Sequence, residues 1–117
     1  MTGLASPYTM VLNGAPQENG AELKIDFLNV KKAALILRAL NHKLRQQMLQ
    51  LLDEKRKMTV TELYVQLRLE QSVASQHLAI LRRAGIVTTT REGKFIYYSV
   101  NHKRLGEIYN FVEQILA

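Results

Sequence analysis

The stretch "EQSVASQHLAILRRAG", Glu70 to Gly85, opens polar and closes apolar. Ala74, Leu78 and Leu81 recur in it at helical spacing and predict one inward-facing stripe. The same helix then turns Gln71, Ser72, Ser75, Gln76 and Ala79 outward over its first turns. These side chains are short and uncharged. A helix of this kind suits the major groove of duplex DNA, where amides and hydroxyls match the donors and acceptors of base edges and a methyl group can touch thymine. A merely solvated helix face would display the same residues, so this helix alone leaves both readings open.

The flanks favour the groove. Arg82 and Arg83 close the helix, and Arg91 and Lys94 follow at the tip of an expected hairpin, where they can meet backbone phosphates. From Gln71 to Arg104 the bases are Arg82, Arg83, Arg91, Lys94, Lys103 and Arg104, against the single acid Glu92. His77 lies among them and is a candidate for a phosphate contact or a structural hydrogen bond.

Working outward, "TVTEL" has the pattern of a capping box, with Thr59 and Glu62 each serving the other's amide at the start of a short helix that carries Leu63 and Leu67. The "RLE" that follows is long enough only for a turn, so two helices joined by about three residues form a helix-turn-helix. Gly85 suits a left-handed helix C-terminus. In "IVTTTREGKFIYYSV" the period changes, and Val87 to Arg91 with Lys94 to Val100 predict a hairpin turned at Gly93. Upstream, "NHKLRQQMLQLLDEK" places Leu44, Met48, Leu51 and Leu52 on one stripe, with Asn41 as its expected N-cap. Two helices carry apolar surface on more than one face: Ile25 to Leu40, and Asn101 to Ala117, in which Leu105, Ile108, Val112, Ile115 and Leu116 share a stripe that Tyr109 and Phe111 broaden. That excess exceeds what a core of about 90 residues can cover and predicts self-association. Residues 1–23 contain no Lys or Arg and mix Gly, Pro, Asn and Ser without a period, so they are expected to form a flexible arm, with one domain over 24–117.

Composition narrows the function. A chain of 117 residues with 47% hydrophobic content builds one modest core and leaves little material for a deep enzyme cleft. There is no nucleophile elbow, no phosphate-cradling glycine loop and no close carboxylate pair in an apolar setting, so a binding module without catalysis is expected. The absence of cysteine removes disulfides, thiolate metal sites and redox thiols, and points to the cytoplasm. The longest apolar run is "AALIL", Ala33 to Leu37, too short for a membrane span, and the start lacks a targeting pattern. A formal charge of +6 suits a polyanionic partner.

The segments "ALNHKLRQQMLQLL", "TVTEL", "QSVASQHLAILRRAGIV" and "REGKFIYYSV", in that order, resemble the ArsR family of winged-helix bacterial repressors over about residues 25–117. The resemblance implies an α+β winged helix-turn-helix of four helices, a β-hairpin wing and a C-terminal helix. It also implies a homodimer formed through the first and last helices, with the helix from Glu70 in the major groove of operator DNA. The residues taken for the dimer interface are Leu28, Leu35, Ile108, Phe111, Val112 and Ile115. Metal-sensing relatives begin the third helix Cys-Val-Cys; here Thr59, Val60 and Thr61 stand there, and hydroxyls do not replace thiolates for soft metals. A second metal site of the family would need an Asp and His residues where this chain has His102, Arg104 and Ile115. No metal or cofactor is therefore expected, and the effector is left open. Lys43 replaces a usual Pro, and Glu70 replaces a usual Ser.

The remaining residues draw plainer expectations. No two of His42, His77 and His102 are spaced for a local zinc pair, and His42 and His102 read as solvated or cap-adjacent. Tyr97 and Tyr98 fall on opposite faces of a strand, so at least one should pack. Arg45 matches a recurrent family arginine, although a solvated position on the second helix explains it nearly as well. "DEKRK", Asp53 to Lys57, reads as a mixed solvated loop. The competing function is a winged helix that contacts proteins and reads no DNA, for which an acidic recognition face would be the mark.

Overall fold

The computed structural model describes residues 7–14 and 21–117, and its packing divides the chain into two units between Leu35 and Ile36. No described helix is long and apolar enough to cross a membrane.

In the first unit, β1 (Thr9–Asn13) pairs antiparallel with β2 (Glu22–Asp26), Met10 opposite Ile25 and Leu12 opposite Leu23. Opposed residues share a face and alternate residues share it too, so Met10, Leu12, Leu23 and Ile25 form an apolar side, while Thr9, Asn13, Glu22, Lys24 and Asp26 lie on the other with Val11. The expected unstructured arm over 1–23 is thus corrected at 9–13 and 22–23; the rest of it at 1–6 and 15–20 lies outside the described residues. The period-two pattern is short, and the Gly, Pro and Asn around it suggested coil. β2 runs directly into α1 (Phe27–Leu40), so Ile25 and Asp26, read as helical, are strand residues. Asp26 Oδ1 accepts from the Leu28 amide at 2.9 Å and the Phe27 amide donates to the Tyr8 carbonyl at 2.9 Å, which fixes the strand-to-helix corner.

The second unit takes the end of α1 and everything after it. Its elements are α2 (Lys43–Lys55), α3 (Val60–Leu67), α4 (Gln71–Arg83), β3 (Val87–Glu92), β4 (Phe95–Val100) and α5 (His102–Leu116). Ala39, Met48, Leu52, Met58, Leu63, Leu78, Leu81, Ile86, Val87 and Ile108 make its core, so every helix of the unit contributes. At about 25 cal/mol per Å² of apolar area removed from water, this burial holds the unit together. The α+β winged helix-turn-helix is the observed fold.

Local chemistry explains the element ends. The capping box of α3 forms as its sequence requires: Glu62 N to Thr59 Oγ1 at 3.1 Å, and Thr59 N to Glu62 Oε1 at 2.9 Å. Asn101 Oδ1 accepts from the Arg104 amide and starts α5. The N-cap of α2 is His42 rather than Asn41: its Nδ1 accepts from the Leu44 amide at 3.2 Å, while the Asn41 amide still donates back into α1. The carbonyls orphaned at the end of α1 are satisfied by α2, since Arg45 donates to Arg38 and Ala39 and Gln46 Nε2 donates to Leu40 O at 2.8 Å. The solvated reading of Arg45 is therefore wrong; at 6% exposure it is the buried charged residue among those described.

After α4 the chain reverses at Gly85, φ +75°, where an added Cβ would lie 3.4 Å from Arg104 Nε. Arg104 in turn donates to the Ala84 carbonyl, placing a cation at the end of α4. Gly85→Ala is expected to lower unfolding free energy by about 1–2 kcal/mol, from left-handed backbone strain plus displacement of Arg104, readable by urea titration at fixed protein concentration.

Candidate nucleic-acid interface

The inward stripe of α4 is confirmed: Ala74, Leu78 and Leu81 are buried. Anchored from behind, the helix leaves Gln71, Ser72, Ser75, Gln76, Ala79, Arg82 and Arg83 exposed. Glu70 occupies the N-cap but makes no side-chain capping bond, so its carboxylate is exposed at the start of α4.

The wing rises beside this face. β3 and β4 pair from Val87–Val100 to Glu92–Phe95, and a two-residue loop of Gly93 and Lys94 joins them with Gly93 at φ +63°. Arg91 and Lys94 are both exposed there; Arg91 Nε donates to the Gly93 carbonyl at 3.1 Å and Lys94 Nζ lies 5.5 Å from the Phe95 ring centre. Glu92, the one acid of this region, is paired by Lys57, which reaches it from outside the motif. That hydrogen bond raises the Lys57 pKa above its ordinary value. The wing tip therefore presents Arg91 and Lys94 to solvent.

At its base the wing is tied to the helices. Met58 N donates to Tyr98 O at 3.1 Å and Tyr98 N to Met58 O at 2.8 Å, a bridge that adds a third chain segment beside β4. The Tyr98 ring packs on the core, and the residue also lines an open groove with Ser75, Ala79, Arg82 and Arg83. Tyr97 lies under Lys57, whose Nζ is 4.7 Å from the ring centre. Tyr98 is thus the packing member of the pair, and it belongs to the site as well.

The structure brings Ser75, Arg82 and Arg83 to one groove, sets Gln71, Ser72 and Gln76 on the same exposed helix front, and holds Arg91 and Lys94 at the wing tip. His77 departs from that group. Its ring turns back toward α2, with Nδ1 3.1 Å from Arg45 Nη1 and its centre 4.7 Å from that of His42. Sequence spacing keeps these histidines apart; a fold contact between α4 and the α1–α2 corner, invisible in local spacing, unites them. His102 Nε2 meets Asp53 Oδ1 at 2.6 Å, an exposed pair worth little to stability. Asp53 and Lys57 of the supposed solvated cluster accordingly both have partners, while Asp53 to Lys55 lie in α2 itself.

Among the residues taken for a dimer interface, Leu28, Leu35, Phe111 and Ile115 are exposed and Val112 is half-buried. Ile108 is corrected: at 7% exposure it belongs to the core of its own chain. It shares a helical stripe with Leu105 and Val112, and the sequence could not tell which end of that stripe turns inward.

Residues 42–89 match the family model for the bacterial regulatory proteins of the arsR family. The transcriptional activator HlyU of Vibrio cholerae is 41% identical over 96 residues, which span 81% of this chain and 81% of that protein. The crystal structure of the transcriptional repressor PagR of Bacillus anthracis superposes with a TM-score of 0.58 at 30% identity, across 73% of this chain and 98% of that one. An ArsR-like regulator from Rhodococcus sp. shares the fold at a TM-score of 0.66 and 22% identity, covering 74% of this chain and 81% of that one. With a buried stripe behind α4, a polar front and a basic wing beside it, the chain belongs to the arsR family and is a DNA-binding transcriptional regulator.

Proposed function

We propose that the protein is a cytoplasmic homodimer that represses transcription by occupying operator DNA, with no catalytic activity of its own. α4 enters the major groove, where Gln71, Ser72, Ser75 and Gln76 meet base edges, and Arg82, Arg83, Arg91 and Lys94 hold phosphates. The wing follows the backbone or the adjacent minor groove. The observation that carries this reading is the exposed, uncharged polar front of α4, ending in Arg82 and Arg83 beside a wing tipped by Arg91 and Lys94, and fixed by its own buried stripe. Of the named relatives one is an activator and one a repressor; repression is the simpler outcome, because a dimer seated on a promoter blocks access by volume alone. α1 and α5 supply the dimer contact, and no soft-metal site controls release, since Thr59 and Thr61 begin the segment where thiolates would be needed.

Readers and anchors respond differently to substitution. Gln76→Ala is expected to cost roughly 1–3 kcal/mol on a duplex that the protein itself selects from a random pool, and much less on an arbitrary duplex. Lys94→Ala weakens both by similar factors and reduces the salt slope by roughly 1 for each phosphate that the wing tip no longer neutralises. Fluorescence anisotropy on both duplexes at several salt concentrations reads these quantities. If Gln76→Ala, Ser72→Ala and Ser75→Ala all leave the selected-to-arbitrary ratio unchanged, α4 does not read bases and a protein-contact role gains the ground.

A further inference from the structure

Arg45 joins three elements. From α2 its Nε donates to Ala39 O at 2.6 Å and its Nη2 to Arg38 O at 3.0 Å, both at the end of α1, while Nη1 lies 3.1 Å from His77 Nδ1 on α4. A guanidinium can only donate, so His77 Nδ1 must accept, and the ring proton of the neutral imidazole resides on Nε2. His77 directly follows Gln76 in the chain, and the exposed front of α4 cannot move without it.

We propose that the Arg45–His77 hydrogen bond is the joint that holds α4 in its DNA-reading pose, and that adding a proton to His77 opens it. His77 is then a positioning residue and not a phosphate contact. This rests on α4 reading base edges. Protonation places an N–H on Nδ1 opposite the N–H of Arg45, donor against donor and cation against cation. The groups acting on the His77 charge are His42, at the α1–α2 corner, and Arg45; none comes from α3 or β3, which also pack against α4. No carboxylate is among them to compensate. His42 cannot relieve the contact through its own Nδ1, which is committed to the Leu44 amide.

Desolvation first, then His42 and Arg45, lower the His77 pKa from its ordinary 6.5. The folded state therefore takes up this proton less readily than the unfolded chain does. The joint contributes fully above about pH 6.5 and is lost as pH falls through the lowered value. It is closed at neutral pH and opens on acidification.

The test uses full-length protein and the same two duplexes, one selected from a random pool at about pH 7.5 and one arbitrary, from about pH 7.5 to 5. Below the His77 pKa the ratio of selected to arbitrary affinity should fall, by up to about tenfold per pH unit for each His77 engaged. His77→Asn keeps an acceptor opposite Arg45 and takes no proton, so its ratio stays level. His42→Asn preserves the helix cap, removes the imidazole 4.7 Å from His77 that helps to lower its pKa, and shifts the fall to higher pH. A phosphate-contacting His77 would do the reverse, strengthening both complexes in acid with the ratio unchanged; that result, or a fall in His77→Asn as steep as in wild type, overturns the proposal. Independently of any variant, proton–nitrogen correlation spectra should show His77 as the Nε2–H tautomer at neutral pH, and an Nδ1–H tautomer overturns it. Failure to select any duplex removes base reading by α4 and the proposal with it, an outcome distinct from a selected duplex whose preference ignores pH.

Discussion

Ile115→Glu is expected to leave the winged-helix fold intact while separating the proposed dimer into monomers. Ile115 is 61% exposed near the end of α5, in company with exposed Tyr109, Phe111 and Leu116. Burying an isoleucine contributes about 1.5–3 kcal/mol. In a two-fold interface the substitution occurs twice, so the loss reaches about 3–6 kcal/mol, or roughly 100- to 10,000-fold in dimer affinity. Ile108→Glu, seven residues earlier on the same helix, should act on folding instead. Its side chain is 7% exposed within the core, and a carboxylate there is either desolvated or forced to drag α5 off the helices beneath it. Sedimentation velocity and thermal melts separate the two. A dimeric Ile115→Glu protein at micromolar concentration would remove α5 from the interface.

Arg45→Met should cost about 2–4 kcal/mol of unfolding free energy although it adds an apolar side chain to a buried position. The methionine fills much of the volume but donates nothing, leaving Ala39 O without its 2.6 Å partner and His77 Nδ1 without its donor. Each abandoned group costs about 1–3 kcal/mol, and the loss of a cation at the end of α1 adds to it. Arg38 O is less affected, because the Asn41 amide also donates to it at 3.2 Å. Urea unfolding of wild type and variant at one protein concentration measures the difference. A change below about 0.5 kcal/mol would show that these groups find water or other partners.

The fold of the second unit was legible because local and periodic signals agree there. The Thr59 capping box, the Ala74–Leu78–Leu81 stripe, Gly85, Gly93 and Asn101 each determine a feature within a few residues of themselves. What could not be read depends on contacts between distant positions. Arg45 looked nearly as solvated as bound because its partners, the end carbonyls of α1 and a histidine 32 residues ahead, exist only once α2 turns back on both neighbours. Ile108 and Ile115 share one apolar stripe, and only the packing of α5 assigns one inward and the other outward. The β1–β2 pair escaped for a different reason: "TMVLN" is short and holds three apolar residues in a row, a weak strand signal beside Pro7, Gly14 and Gly20. On the site, residue type and exposure were anticipated for α4 and the wing tip, whereas the turn of His77 toward α2 and the double engagement of Tyr98 were not.

The Met58–Tyr98 bridge gives the wing a fixed root. Because Tyr98 also packs on the core and shares a groove wall with Ser75 and Ala79 of α4, α4 and the wing base form the two jaws of a calliper with a set opening. If α4 enters the major groove as proposed, DNA must fit that opening before any base edge is tested. Operators whose groove width and bend already match need no deformation, and stiff sequences that do not match are rejected at base pairs the protein never touches. On the proposed docking, part of the specificity of this regulator would reside in a distance, and a rearranged root would alter operator choice with every proposed base-facing side chain in place.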